Sequence, residues 1–106
     1  MSDPQSGELA RLLRDMMVWS ARAETYVAGH SEETFMEDAK AGDAVCWCIA
    51  CVGEAAGAVL RRWPELKDEL DLVQAYAMRN RITHGYFAVD LGIVLHRVVV
   101  RVIVEP

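Results

Sequence analysis

Leu9, Leu12, Leu13, Met16, Met17, Trp19, Ala23, Tyr26 and Val27 recur every three or four positions, the period of a helix with one apolar stripe, and Gly29 follows as a stop signal. The pattern predicts a first helix over residues 7–28. Ser31 ahead of Glu32 and Glu33 is a hydroxyl cap with an acidic first turn, so a second helical stretch opens there, passes through Phe35 and Met36, and is expected to break at Gly42. Asp43 is placed to cap a third helix with the stripe Val45, Cys48, Val52, Ala55, Ala56, Val59 and Leu60. That helix ends near Trp63, because Pro64 cannot continue the hydrogen-bond ladder. From Glu65 onward, Leu66, Leu70, Val73, Ala77, Met78 and Ile82 keep the same period, with Gly85 placed as the left-handed residue after the helix end. Asp90 can cap a last helix from Leu91 to about Arg101. Its run Val98, Val99, Val100, Val102, Ile103 and Val104 would suit a strand equally well, but a lone strand finds no partner elsewhere in the chain. Short connections between such helices imply an all-α, antiparallel bundle of four to five helices, as one domain over residues 1–106.

A length of 106 residues limits the chain to one modest core, and 53% hydrophobic with 25% charged residues is the composition of a folding chain. Net charge is −5, which excludes a global basic field for holding nucleic acid. The charge is uneven, however. Residues 1–75 carry seven Lys/Arg against fourteen Asp/Glu, whereas 76–106 carry four Arg against Asp90 and Glu105. Any contact with RNA must therefore be local, around Arg79 and Arg81. The sequence shows no stretch read as long enough to span a bilayer and no signal-peptide pattern at Met1 to Gly7, so a cytoplasmic location without membrane contact is expected. Three cysteines within six residues, Cys46, Cys48 and Cys51, argue against a disulfide framework and for a reducing compartment.

Chemistry concentrates in Met78-Arg79-Asn80-Arg81-Ile82-Thr83-His84-Gly85-Tyr86-Phe87. It holds a guanidinium suited to phosphate, an amide that can orient it, an imidazole for acid/base work and a phenol. Those groups suffice for metal-free cleavage of RNA: a base takes the 2′-hydroxyl proton, a guanidinium stabilises the phosphoryl oxygens and an acid protonates the leaving oxygen. Spacing constrains their cooperation. On a regular helix Asn80 and His84 share a face, whereas Arg79 and His84, five positions apart, diverge by roughly 140°. Either the helix loosens at its Gly85 end or a two-fold dimer completes the cleft; the dimer is favoured. The plainer alternatives are a capping role for His84, a packed aromatic for Tyr86 and a solvated helix position for Arg81.

A metal site in the cysteine cluster is disfavoured, since offsets of two, three and five residues scatter the thiols by about 200°, 300° and 140° around one helix and no paired His lies nearby; small buried side chains are the simpler reading. His30 and His96 read as surface or partner-facing residues. Gly53 and Gly57 permit close helix approach, within the chain or across a dimer seam. Glu54, an acid on an apolar stretch, calls for a structural link to an Arg.

The segment Arg79-Asn80-Arg81-Ile82-Thr83-His84-Gly85-Tyr86 resembles the signature of the HepT family of HEPN-domain toxins: Arg, four residues, His, one residue, Tyr, with Asn directly after the Arg. Asp43-Ala44-Val45, Val52-Gly53-Glu54-Ala55-Ala56 and Tyr86-Phe87-Ala88-Val89-Asp90-Leu91 extend the likeness over most of the chain. The resemblance implies a HEPN-like bundle and a metal-independent endoribonuclease toxin, active as a homodimer without a cofactor, with Arg79 and His84 catalytic and Asn80 and Tyr86 supporting. It further implies a nucleotidyltransferase antitoxin of the MNT type as partner, and AMP transfer to Tyr86 as the off-switch. The alternative is a non-catalytic HEPN-type binding module that recruits or regulates such a nucleotidyltransferase. Where the family usually carries a Pro-Trp step this chain reads Asp71-Leu72, which predicts a helix unbroken from Glu65.

Overall fold

The computed structural model describes residues 4–69 and 71–85, and these form an all-helical antiparallel arrangement. The expected last helix and the β-branched run fall outside the described residues. Helix α1 spans Pro4–Val27, α2 Glu32–Glu37, α3 Ala39–Arg62 and α4 Leu72–Gly85, with a single 3₁₀ turn at Pro64–Leu66. Pro4 opens α1, where a missing N–H costs nothing, and Gly29 ends the connection behind it at a φ of +83°. Ser31 caps α2 as its spacing predicts. Its side chain accepts from the Thr34 amide while the Thr34 hydroxyl accepts from the Ser31 amide.

The break between α2 and α3 falls at Asp38 rather than at Gly42. Asp38 is extended (φ −101°, ψ 97°) and its carboxylate accepts the Ala41 amide at 3.1 Å, so one of the free N–H groups at the start of α3 is satisfied there. Gly42 and Asp43 consequently lie inside α3, with Gly42 buried. At the far end Pro64 stops the helix, and Arg61 and Arg62 complement the negative end of its dipole.

The helix expected to run unbroken from Glu65 is interrupted. The chain makes the 3₁₀ turn, then a turn through Asp71, whose φ of 53° is left-handed, and α4 starts only at Leu72. The cause is register. Leu66 and Leu72, six residues apart, would face roughly 120° apart on one helix, yet both pack on the same cluster, so the break resets the stripe. The buried face of α4 is Leu72, Ala75, Met78 and Ile82, not the Val73 and Ala77 that periodicity suggests; Val73 is 57% exposed. Gly85 is the last residue of α4 and not a left-handed residue beyond it.

Helix α3 is the central element, with α1 and α4 packed on it. Toward one end Leu12 and Met16 meet Val52, Ala56, Val59, Leu72 and Ala75. Toward the other, Ala23 and Phe35 meet Val45, Cys46, Ile49, Met78 and Ile82. By length and composition α3 could cross a bilayer, contrary to the expectation from sequence, with a mean hydropathy of 1.6 over the relevant window. Of that window 56% is buried inside the bundle, so the apolar character is largely that of a core helix.

Candidate functional site

The register of α4 decides where its chemistry goes. With Met78 and Ile82 buried, Arg79 falls at the edge of the α3–α4 seam and His84 on the exposed last turn. Close approach at that seam depends on Gly53. A Cβ at this position would collide with the Cβ of Arg79 and would lie 2.6 Å from the Ala75 carbonyl oxygen. A Cβ on Gly57, one turn on, would lie 2.5 Å from the Tyr76 ring. Both glycines therefore serve packing within the chain, against α4.

Arg79 is held by two contacts. One terminal nitrogen, Nη1, donates to the Asn80 side-chain oxygen at 2.9 Å, and the other, Nη2, lies 2.9 Å from Oε2 of Glu54 on α3. The link between Glu54 and an Arg is therefore present, but Glu54 is a rim residue, 63% exposed against 26% for Arg79, rather than a buried acid. Attraction across a pair this open to water is screened, so its main effect is on where the guanidinium points. Five N–H groups are available on a guanidinium, and these contacts engage two of them. A groove of about 390 Å³ between α1 and α3, lined in part by Trp19, Cys51, Glu54 and Ala58, opens beside the same carboxylate.

The structure thus brings Arg79, Asn80 and Glu54 together and leaves His84 apart. His84 is exposed and makes no hydrogen bond or ion pair among the described residues. Because α4 is helical through Gly85, loosening of its end does not swing His84 toward Arg79, and the two groups keep the roughly 140° divergence of a regular helix. Arg81 is exposed, and the Thr83 hydroxyl donates back to the Arg79 carbonyl oxygen at 3.0 Å. Tyr86 lies outside the described residues.

Two other expectations meet the structure here. Cys46 and Cys48 are buried and Cys51 half-buried, packing as small apolar groups. Burial pushes all three thiols up, Cys46 to about 11, assisted by the carboxylate of Asp43. His30, expected at the surface or facing a partner, is partly exposed and is also held by contacts within the chain. Its Nδ1 is 3.1 Å from the Thr34 hydroxyl, its Nε2 is 3.6 Å from Asp38, and its ring meets Phe35 edge-on. It joins the α1–α2 turn to the α3 cap. Periodicity could not reveal this, because all three partners lie in or beside a six-residue helix.

The family model described as Ribonuclease HepT-like matches residues 19–103, which include the whole of α3, α4 and the Arg79 to Tyr86 segment. The chain has no significant match among curated proteins or among solved structures.

Proposed function

The chain belongs to the HepT-like ribonuclease family, and from that membership we propose that it is the metal-independent endoribonuclease of a toxin–antitoxin pair. The observation that carries this reading is the placement of Arg79. Its guanidinium is tethered, partly open to solvent and left with N–H groups to offer a phosphate, five residues along the same helix from an exposed, unengaged imidazole at His84.

Two copies related by a two-fold axis complete the site, because Arg79 and His84 of one regular helix cannot face a common point. In the assembled cleft one His84 accepts the proton of the ribose 2′-hydroxyl as O2′ attacks phosphorus. The P–O5′ bond breaks, and the second copy's imidazolium gives its proton to the departing oxygen, leaving a 2′,3′-cyclic phosphate and a 5′-hydroxyl. Arg79 stabilises the charge that builds on the non-bridging oxygens, and Asn80 restrains Arg79. Partnership with a nucleotidyltransferase antitoxin of the MNT type, and transfer of AMP to Tyr86, fit the same reading: a bulky, phosphate-bearing group two residues from His84 would repel substrate phosphate and obstruct the cleft.

Incubation of the purified protein with labelled RNA in EDTA tests the chemistry. Wild type cleaves and leaves cyclic phosphate ends, and His84→Ala, at an exposed position that leaves the core intact, loses about 10²–10⁴ in rate. Undiminished cleavage by His84→Ala rejects the mechanism. Absence of cleavage by wild type, with a stable nucleotidyltransferase complex, establishes the non-catalytic binding module instead. Mass spectrometry of the protein co-expressed with its antitoxin reads the Tyr86 peptide for the added AMP.

A further inference from the structure

Adjacent residues of α3 act on one residue of α4: Gly53 gives the Arg79 stem room at the seam and Glu54 receives its guanidinium. A pair as exposed as this one contributes little to folding stability, so a stabilising role does not account for it. Its physical consequence is to restrict a side chain that otherwise spreads over many rotamers.

We propose that Glu54 is a positioning residue for Arg79, fixing the guanidinium so that its unengaged N–H groups present a fork to a phosphodiester. This rests on the nuclease reading above and adds to it a residue outside the signature segment. The contact geometry favours positioning over blockade. One carboxylate oxygen meets one terminal nitrogen, and Asn80 takes one N–H of the other. The Nε–H and one N–H on each terminal nitrogen have no partner among the described residues, and they are the donors a phosphate accepts from in pairs. Holding each terminal nitrogen by one contact leaves three N–H groups preorganised rather than occupied.

Charge and orientation make opposite predictions here. Removing an acid near the site should by simple electrostatics tighten binding of any polyanion, whereas loss of orientation should weaken it. Affinity for an uncleavable 2′-O-methyl RNA is measured by fluorescence anisotropy for wild type, Glu54→Ala and Glu54→Gln. Glu65→Ala, in the 3₁₀ turn at the opposite end of α4 from His84, serves as a charge control. Glu65→Ala is expected to bind slightly more tightly than wild type and Glu54→Ala more weakly, despite the same change in charge. Glu54→Gln, which keeps an acceptor for Nη2, is expected to bind at least as well as wild type. On cleavable RNA Glu54→Ala lowers kcat about tenfold with a smaller change in KM, below the ~100-fold cost of a 1 Å misplacement.

Binding by Glu54→Ala equal to or tighter than wild type overturns the proposal, as does an equal loss in Glu54→Gln; if wild type still cleaves, the nuclease reading stands. Weakened binding by Glu54→Ala alone, with no cleavage by wild type, keeps the positioning role and removes the nuclease. No measurable binding and no cleavage by wild type overturns both, and where wild type cleaves without measurable binding, an unchanged kcat in Glu54→Ala overturns the proposal.

Discussion

Substitution of Gly53 by alanine tests the contact that puts Arg79 where it is. The new methyl group meets the Arg79 Cβ and sits 2.6 Å from the Ala75 carbonyl oxygen, where ordinary contact begins at 3.4 Å. Neither obstacle is the free end of a flexible side chain, so α4 itself must retreat, by roughly 1 Å. Leu72, Ala75, Met78 and Ile82 ride on that helix, each no more than 6% exposed, and a gap of about 0.5–1 Å forfeits about a quarter to a half of the dispersion energy of each contact. Overpacking typically costs about 1–3 kcal/mol, and a backbone obstacle places this case near the upper value. Replacing a mid-helix glycine by alanine returns about 1 kcal/mol. The expected net loss is about 2 kcal/mol, which for a domain of this size lowers the melting temperature by about 10 °C. Circular dichroism melts read it directly. Gly7→Ala, with nothing within 4 Å, is the control and should melt at or above wild type. Gly57→Ala meets the Tyr76 ring, a side chain that can swing aside, and should lose less than Gly53→Ala. A Gly53→Ala protein as stable as wild type would refute the close approach of α3 and α4, and with it the placement of Arg79.

Asp38→Ala removes the α3 cap and one of the partners of His30, and is expected to cost about 1 kcal/mol, read as a fall in urea midpoint at unchanged slope. The Cys46 thiol gives a pH dependence of definite sign. Burial raises it to about 11 from an ordinary 9.0, so above pH 9 the folded state retains a proton that the unfolded chain releases. Its contribution is fully present below pH 9 and is lost as the pH rises from about 9 to about 11; urea melts of wild type should fall over that window more steeply than those of Cys46→Ala. Iodoacetamide at pH 8 should modify Cys46 and Cys48 far more slowly in the folded protein than in urea, and equal rates would contradict their burial.

Local chemistry carried much of this fold. The stripe Val45, Cys48, Val52, Ala55, Ala56 and Val59 is buried along α3 as its period predicts, and the Ser31 cap, the Gly29 turn and the Pro64 stop each act on their own few residues. Where two local signals competed, pattern favoured the wrong one and placed the α3 cap at Asp43. Asp38 and Asp43 are both able to cap a helix, and burial of Phe35 together with the Asp38 contacts settles which one does. Leu66, Leu70, Val73 and Ala77 make a plausible stripe, but the left-handed turn at Asp71 rotates α4 into another.

The Arg79 to Tyr86 segment could be read from residue order alone, because spacing is a short-range matter; so could an Arg link for Glu54, although that acid is exposed and the pairing does not follow from burial. That the partner is Arg79, and that α4 stays regular through Gly85 and so holds His84 at the divergence its spacing predicts, required the packed chain. The pairing follows from the relative rotation and height of α3 and α4, set by Leu72, Ala75, Met78 and Ile82 against Val45 to Val59 with Gly53 yielding the space. Contacts between residues some 25 positions apart leave no periodic trace in either helix, since each stripe is compatible with several ways of laying it against the other.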